Sequence, residues 1–167
     1  MRRNVRRLLI GLVVLTTACS SEIPAADAAL GTSTSAHAVA AGVGNHLAPG
    51  TPCAVTAKAC VDLSDNKAWL LEAGAVHVGP VPITHGRDGY QTPTGVYSVR
   101  RKQADYRATN WNEKDGVMPN AVFWNGRYAF YEGDLTESSF GGIRLGKPAA
   151  QQFFDGLKVG DQVQVVP

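Results

Sequence analysis

Charge and cysteine are both scarce in this sequence, and long apolar runs are almost absent. Acidic and basic residues make up 18% of the 167 residues. Four of the 16 basic residues (Arg2, Arg3, Arg6 and Arg7) crowd into the first seven positions, which leaves 12 against 14 acids in the rest. That mildly acidic remainder gives no electrostatic basis for binding nucleic acid. Aromatic residues are 8% of the chain, and none falls between Ser20 and Thr56. This stretch of Ala, Gly, Ser, Thr and Pro cannot bury a core and reads as a flexible tether. His37 and His46 lie in it and read as solvated side chains.

The one apolar run, "LLIGLVVL" from Leu8 to Leu15, follows the N-terminal arginines. A basic start and a short apolar stretch form a secretory signal, too short to span a bilayer as a helix. The run ends in "TTACSS", which resembles the cleavage box of a bacterial lipoprotein, with Cys19 as the lipidated N-terminus. Thr16 stands where Leu is usual in that box, and the leucine falls one place early. Cleavage after "ADA" (Ala26–Ala28) would instead remove Cys19. Both routes predict export to the cell envelope, membrane-anchored in the first case and secreted in the second. By parity Cys53 and Cys60 then pair as a disulfide in an oxidising compartment, with a reactive thiol as the alternative. The expected division is a signal segment at 1–19, a tether at 20–57 and a folded domain at 58–167.

The 18 glycines and 9 prolines point to a loop-rich β domain. "CVDLSDNKAWLLEAGAVHVGPVPITHG" reads as successive strands with turns at Ser64–Asn66 and Glu72–Gly74. "NAVFWNGRYAFYEG" reads as a hairpin turning on Asn125-Gly126, a pair suited to a type I′ turn. Its aromatic residues Phe123, Trp124, Tyr128 and Phe130 are expected to split between core and surface. "KPAAQQFFDGLK" predicts a helix with Pro148 in its first turn and Ala149, Phe153 and Leu157 on one face. "DQVQVV" predicts a closing strand. The fold class is mainly β, largely antiparallel, with one or two short helices.

The loop "ESSFGGIRLG" (Glu137–Gly146) has the spacing of a catalytic loop yet holds neither Cys nor His. In order along the chain, "VPITHG", "TPTG", Met118-Pro119, "AFYEG", "GGIRL" and "GDQVQVV" resemble the L,D-transpeptidase catalytic domain (YkuD-type) across Cys60–Pro167. The resemblance is to secreted actinobacterial members and implies their β-sandwich or barrel fold. It also implies acyl transfer on peptidoglycan stem peptides by a cysteine nucleophile, with no cofactor or metal. That chemistry needs a thiolate, a base and donors for the oxyanion. The family motif, "H-E-G" followed by "S-H-G-C-x-R/H-L", lies on "FYEGDLTESSFGGIRL" without gaps. Tyr131 and Phe140 then occupy the two histidine positions and Gly142 the nucleophile position, while Ser139, Gly141, Arg144 and Leu145 match. Loss of the thiol side chain is expected to leave room at Gly142, with Tyr131 and Phe140 adding aromatic surface.

Three functions stay open at this point. A non-catalytic domain would bind stem peptides or regulate an active relative, with Arg144 and Gly141 on the ligand. A working transferase or hydrolase would use a substitute nucleophile, Ser139, with His85 as base. A structural envelope lipoprotein would carry the groove as a vestige. Glu132, Asp134 and Glu137 suggest paired carboxylates but read as a solvated surface, as His77 does on a sheet. Trp111, in a polar loop, is a candidate glycan contact. The partners implied are stem peptides and, through a lipid on Cys19, the membrane. The sequence carries no signal for oligomeric state.

Overall fold

The computed structural model describes residues 46–108 and 116–167. The signal segment with Cys19, the tether up to residue 45 with His37, and Trp111 lie outside the described residues.

The chain forms β1 (Ala59–Asp62), β2 (Lys67–Glu72), β3 (Ala75–Thr84), β4 (Gly95–Ser98), β5 (Arg101–Arg107), β6 (Val117–Asn125), β7 (Tyr128–Glu132), β8 (Ile143–Leu145), α1 (Lys147–Gly156) and β9 (Gln162–Val166). Local chemistry sets the turns. Between β1 and β2, the Asp62 carboxylate accepts from Ser64 Oγ at 2.8 Å and from the Asp65 N–H at 3.0 Å. Between β2 and β3, Ala73 and Gly74 both take positive φ, 49° and 78°, as a two-residue type I′ hairpin requires. The β6–β7 turn differs from expectation. Asn125 pairs with Tyr128, so Gly126 and Arg127 are the central residues, and of these Gly126 alone has positive φ, at 55°. One positive φ in first place is the type II′ pattern, so the turn is centred one residue later than a type I′ reading of Asn125-Gly126 and the glycine takes its first central place, not its second.

All nine strands join one sheet in the order β4-β9-β1-β2-β3-β8-β7-β6-β5. The sheet is mixed: β1 with β9, and β7 with β8, pair in parallel, the remaining pairs antiparallel. A parallel neighbour needs a crossover rather than a hairpin. The segment between β7 and β8 is such a crossover, and it carries the "ESSFGG" loop. The helix α1 starts with its proline in the first turn and buries Ala149, Ala150 and Phe153. Phe153 meets Phe130 of β7 with ring centroids 5.1 Å apart, in a core shared with Trp124, Ile143, Leu145 and Val163.

Alternation along the β6–β7 hairpin does not separate core from solvent. Trp124 and Phe130 enter the main core, while Phe123, Ala129 and Tyr131 form a second buried cluster with Ala121 on the opposite face. Side chains of the neighbouring strand β5 shield that face. Tyr106 packs edge-on to Phe123 at 4.9 Å, and the Arg101 guanidinium lies 3.6 Å above the Phe123 ring. Such a stack keeps the arginine charge in water while its stem shields the aromatic ring.

Folded structure also begins earlier than composition suggests. Residues 46–57 include a bridge between Leu47 and Ala54, and Ala48, Cys53 and Ala57 are buried against Trp69 and Leu71. The Cys53–Cys60 disulfide ties this turn to β1. The Ala54 N–H donates to Gln164 Oε1 at 2.9 Å, which fixes the turn to β9 as well.

Candidate active site

Ten residues, 133–142, cross from β7 to β8. A long polar loop needs partners for its backbone, and here almost every partner is another loop or strand end. Asp134 Oδ1 accepts from the Thr136 N–H and hydroxyl, each at 2.8 Å, and folds the first half on itself. The Glu137 carbonyl accepts from Thr84 Oγ1 at 2.9 Å and Arg144 Nη1 at 3.1 Å. Ser139 then runs beside Gly86 as a short parallel bridge. Its N–H donates to the His85 carbonyl at 2.8 Å, and its carbonyl accepts from the Arg87 N–H at 3.0 Å. The loop is thereby held like an extra strand beside the end of β3.

Ser139 and Gly141 lock the tip. The Ser139 hydroxyl is wholly buried, donates to the Gly142 carbonyl at 2.6 Å and accepts from the Gly141 N–H at 3.0 Å. Thr92 Oγ1 donates to the Gly141 carbonyl at 2.8 Å and accepts from the Gly86 N–H at 2.9 Å. Gly141 has φ +106°, a conformation that favours glycine, and a Cβ there would strike the Tyr128 ring. This hydroxyl therefore serves the loop backbone. The part of His85 that reaches Ser139 is its carbonyl, and among the described residues the Ser139 hydroxyl bonds Gly142 and Gly141 but not the imidazole.

Tyr131, Phe140 and Gly142 come together. They line one cleft of about 70 Å³ with Tyr106, Met118 and Arg127. The space expected at Gly142 is not empty, however. A Cβ on Gly142 would lie 2.9 Å from Tyr131 Cε1 and 3.0 Å from the Ala129 carbonyl. The edge of the Tyr131 ring and the Ala129 carbonyl therefore crowd any side chain at position 142 at its first atom. On the cleft's other wall Phe140 meets Tyr90 edge-on at 4.9 Å, and the Arg87 guanidinium stacks 3.8 Å from the Phe140 ring.

Arg144 lies behind this wall rather than in it. The residue is 6% exposed. Its Nε donates to Tyr131 Oη at 3.1 Å, and Nη1 reaches Glu137 Oε2 at 3.5 Å besides the Glu137 carbonyl. Burial disfavours its charge, but the bonds to Tyr131 and Glu137 outweigh that effect and hold the guanidinium protonated above the usual arginine range. In this geometry Arg144 braces Tyr131 against the loop, as Gly141 shapes the loop's bend. Arg127, which sequence reasoning did not single out, is the arginine at the cleft itself. It sits in the hairpin turn, and nothing in the local sequence ties that turn to a loop that returns later in the chain. Among the described residues no group of three or more His, Cys, Asp or Glu side chains could hold a metal ion.

Comparison with known proteins agrees with this architecture. Among curated proteins none matches the sequence. Solved structures do match. An L,D-transpeptidase from Stackebrandtia nassauensis superposes with a TM-score of 0.60 at 22% identity, covering 65% of this chain and 54% of that one. L,D-transpeptidase 1 of Mycobacterium tuberculosis gives 0.56 at 22% identity, covering 65% and 60%. A mutant L,D-transpeptidase from Enterococcus faecium gives 0.58 at 21%, covering 66% and 50%. The matched part thus spans only half to three-fifths of those chains, and at such identity the likeness establishes the fold. The sequence profile of the YkuD L,D-transpeptidase catalytic domain matches residues 56–165, from the end of the N-terminal turn to the last strand. That match spans well over half of the sequence, and the chain belongs to the L,D-transpeptidase catalytic domain family.

Proposed function

We propose that this protein is an exported, peptidoglycan-directed member of the family that binds stem peptides, or regulates an active relative, without carrying out transpeptidation. One observation carries the reading: position 142 is a glycine, and the Tyr131 ring edge lies 2.9 Å from where a Cβ there would stand. Cysteine acyl transfer needs a thiolate and a base beside it. Gly142 supplies no thiol and Tyr131 no imidazole. The substitute pair gains no support, because the Ser139 hydroxyl is buried and already bonded to Gly142 and Gly141.

What survives favours binding. Tyr106, Met118, Tyr131 and Phe140 offer an apolar and aromatic surface that suits the face of a sugar or an alanine methyl group. Arg127 stands at the same cleft, where it can pair with a stem-peptide carboxylate. The N-terminal signal and Cys19 support placement in the envelope, lipid-anchored if Cys19 is the mature N-terminus.

The test is intact-mass analysis after exposure to a carbapenem, the reagent that acylates the family's cysteine. No adduct is expected, and a stable adduct on any residue overturns the inactive reading. Cosedimentation with purified sacculi separates binder from vestige. Retention that falls on Arg127→Ala supports the cleft, whereas no retention by the unaltered protein refutes the binding role.

A further inference from the structure

The two ends of the sheet are β4 and β5, yet only Val99 and Arg100 separate these strands in the chain. The sheet must therefore curl until its edges meet at that corner. The Arg100 N–H donates to the Phe123 carbonyl at 2.7 Å and seats the corner on β6. Beyond it the edges part. A groove of about 330 Å³ opens between β4 and the tip of the β6–β7 hairpin, lined by Val96, Ser98, Arg100, Trp124, Asn125 and Gln162. It shares no lining residue with the cleft at Gly142.

Two features of this seam call for an occupant. The first is its edge. β9 pairs with one side of β4, and among the described residues no strand pairs with the other. In an antiparallel strand every second residue turns its N–H and C=O outward, and native edges are usually guarded by charge, proline or a bulge. β5, the opposite edge, carries Arg101, Lys102, Asp105 and Arg107. β4 reads Gly-Val-Tyr-Ser, carries none of these, is protected only by its four-residue length, and leaves Val96 57% exposed. The second feature is a surplus of donors. The Trp124 indole N–H is buried with no acceptor. The Arg100 side chain has no ion pair or hydrogen bond among the described residues, and no acid lines the groove. The acid next in sequence to Gln162, Asp161, gives Oδ2 to the Lys158 N–H at 2.7 Å.

We propose that this seam receives an extended peptide segment of a partner protein, which adds to the free edge of β4 and places an acidic side chain on Arg100. Main-chain pairing supplies attachment, as in strand addition generally, and the arginine selects for charge.

The isotope-labelled full chain is titrated with a blocked hexapeptide alternating valine and threonine around one glutamate. Saturable shifts are expected in the Gly95–Ser98 amides and the Trp124 indole N–H. Arg100→Glu should weaken binding by about tenfold and favour the same peptide with lysine in place of glutamate. A peptide N-methylated at alternate residues should not bind, which separates strand pairing from attraction of a carboxylate. The proposal fails if the Gly95–Ser98 amides stay still up to millimolar peptide. It also fails if sodium acetate reproduces the shifts, or if they map instead to Tyr131 and Phe140.

Discussion

Adding a single methyl group at Gly142 tests whether the Tyr131 ring has closed the nucleophile position. The backbone itself permits Gly142→Ala, since Gly142 is not among the glycines with positive φ. The obstacle is packing: the new Cβ would lie 2.9 Å from Tyr131 Cε1 and 3.0 Å from the Ala129 carbonyl, both tighter than ordinary contact. Tyr131 has little room to retreat. It is 6% exposed, packed with Ala121, Phe123 and Ala129, and its hydroxyl accepts from Arg144 Nε at 3.1 Å. Overpacking of this kind costs about 1–3 kcal/mol. A loss of about 2 kcal/mol would lower the melting temperature of a domain this size by roughly 6–10 °C. Tyr131→His is destabilising by itself, because it removes a packed ring and the Arg144 partner. In the double variant, however, the smaller ring removes the closer of the two contacts, so the methyl group costs less, with only the Ala129 carbonyl still against it. Urea unfolding of the four proteins should give a coupling energy of about 1–2 kcal/mol. Additive effects, with coupling below about 0.5 kcal/mol, would show that the ring and position 142 do not compete for space. The same logic extends to chemistry. Gly142→Cys with Tyr131→His should form a carbapenem adduct more readily than Gly142→Cys alone, and equal adduct formation in both would count against closure by Tyr131.

Two further expectations concern what holds the site and the domain. Arg144→Ala leaves the Tyr131 hydroxyl without its donor and the Glu137 carbonyl with Thr84 Oγ1 alone, and should cost about 2–3 kcal/mol in urea unfolding; Arg144→Lys should not restore it, since an ammonium cannot serve both sites. A cost below about 0.5 kcal/mol would remove Arg144 as a brace. Replacing Cys53 and Cys60 by serine opens a short loop, seven positions in separation, and should lower stability by about 2.5 kcal/mol on the chain-entropy estimate. It should also expose the 46–57 turn to protease, and unchanged proteolysis there would show that the bond with Gln164 suffices.

Sequence alone determined the local geometry and the family. The Gly and Pro punctuation and the alternating apolar runs set most strands. The "KPAAQQFF" pattern set the helix, and "YEG…SFGGIRL" carried the resemblance that singled out Tyr131, Phe140 and Gly142. These features depend on neighbours within a few residues, which is why they can be read in order. Tertiary structure decided the rest. That the hairpin buries both faces follows from Tyr106 and Arg101 of the paired strand β5 packing on Phe123, a contact with no local signal. That residues 46–57 belong to the fold follows from buried alanines and a distant Gln164 rather than from composition. The state of the nucleophile position was the largest difference. A glycine read in the sequence means a missing side chain, and the natural inference is a vacancy. Whether a vacancy exists depends on the atoms across from it. Here Tyr131, eleven residues earlier and on the neighbouring strand, has its ring held over Gly142 by Arg144, and the space is taken.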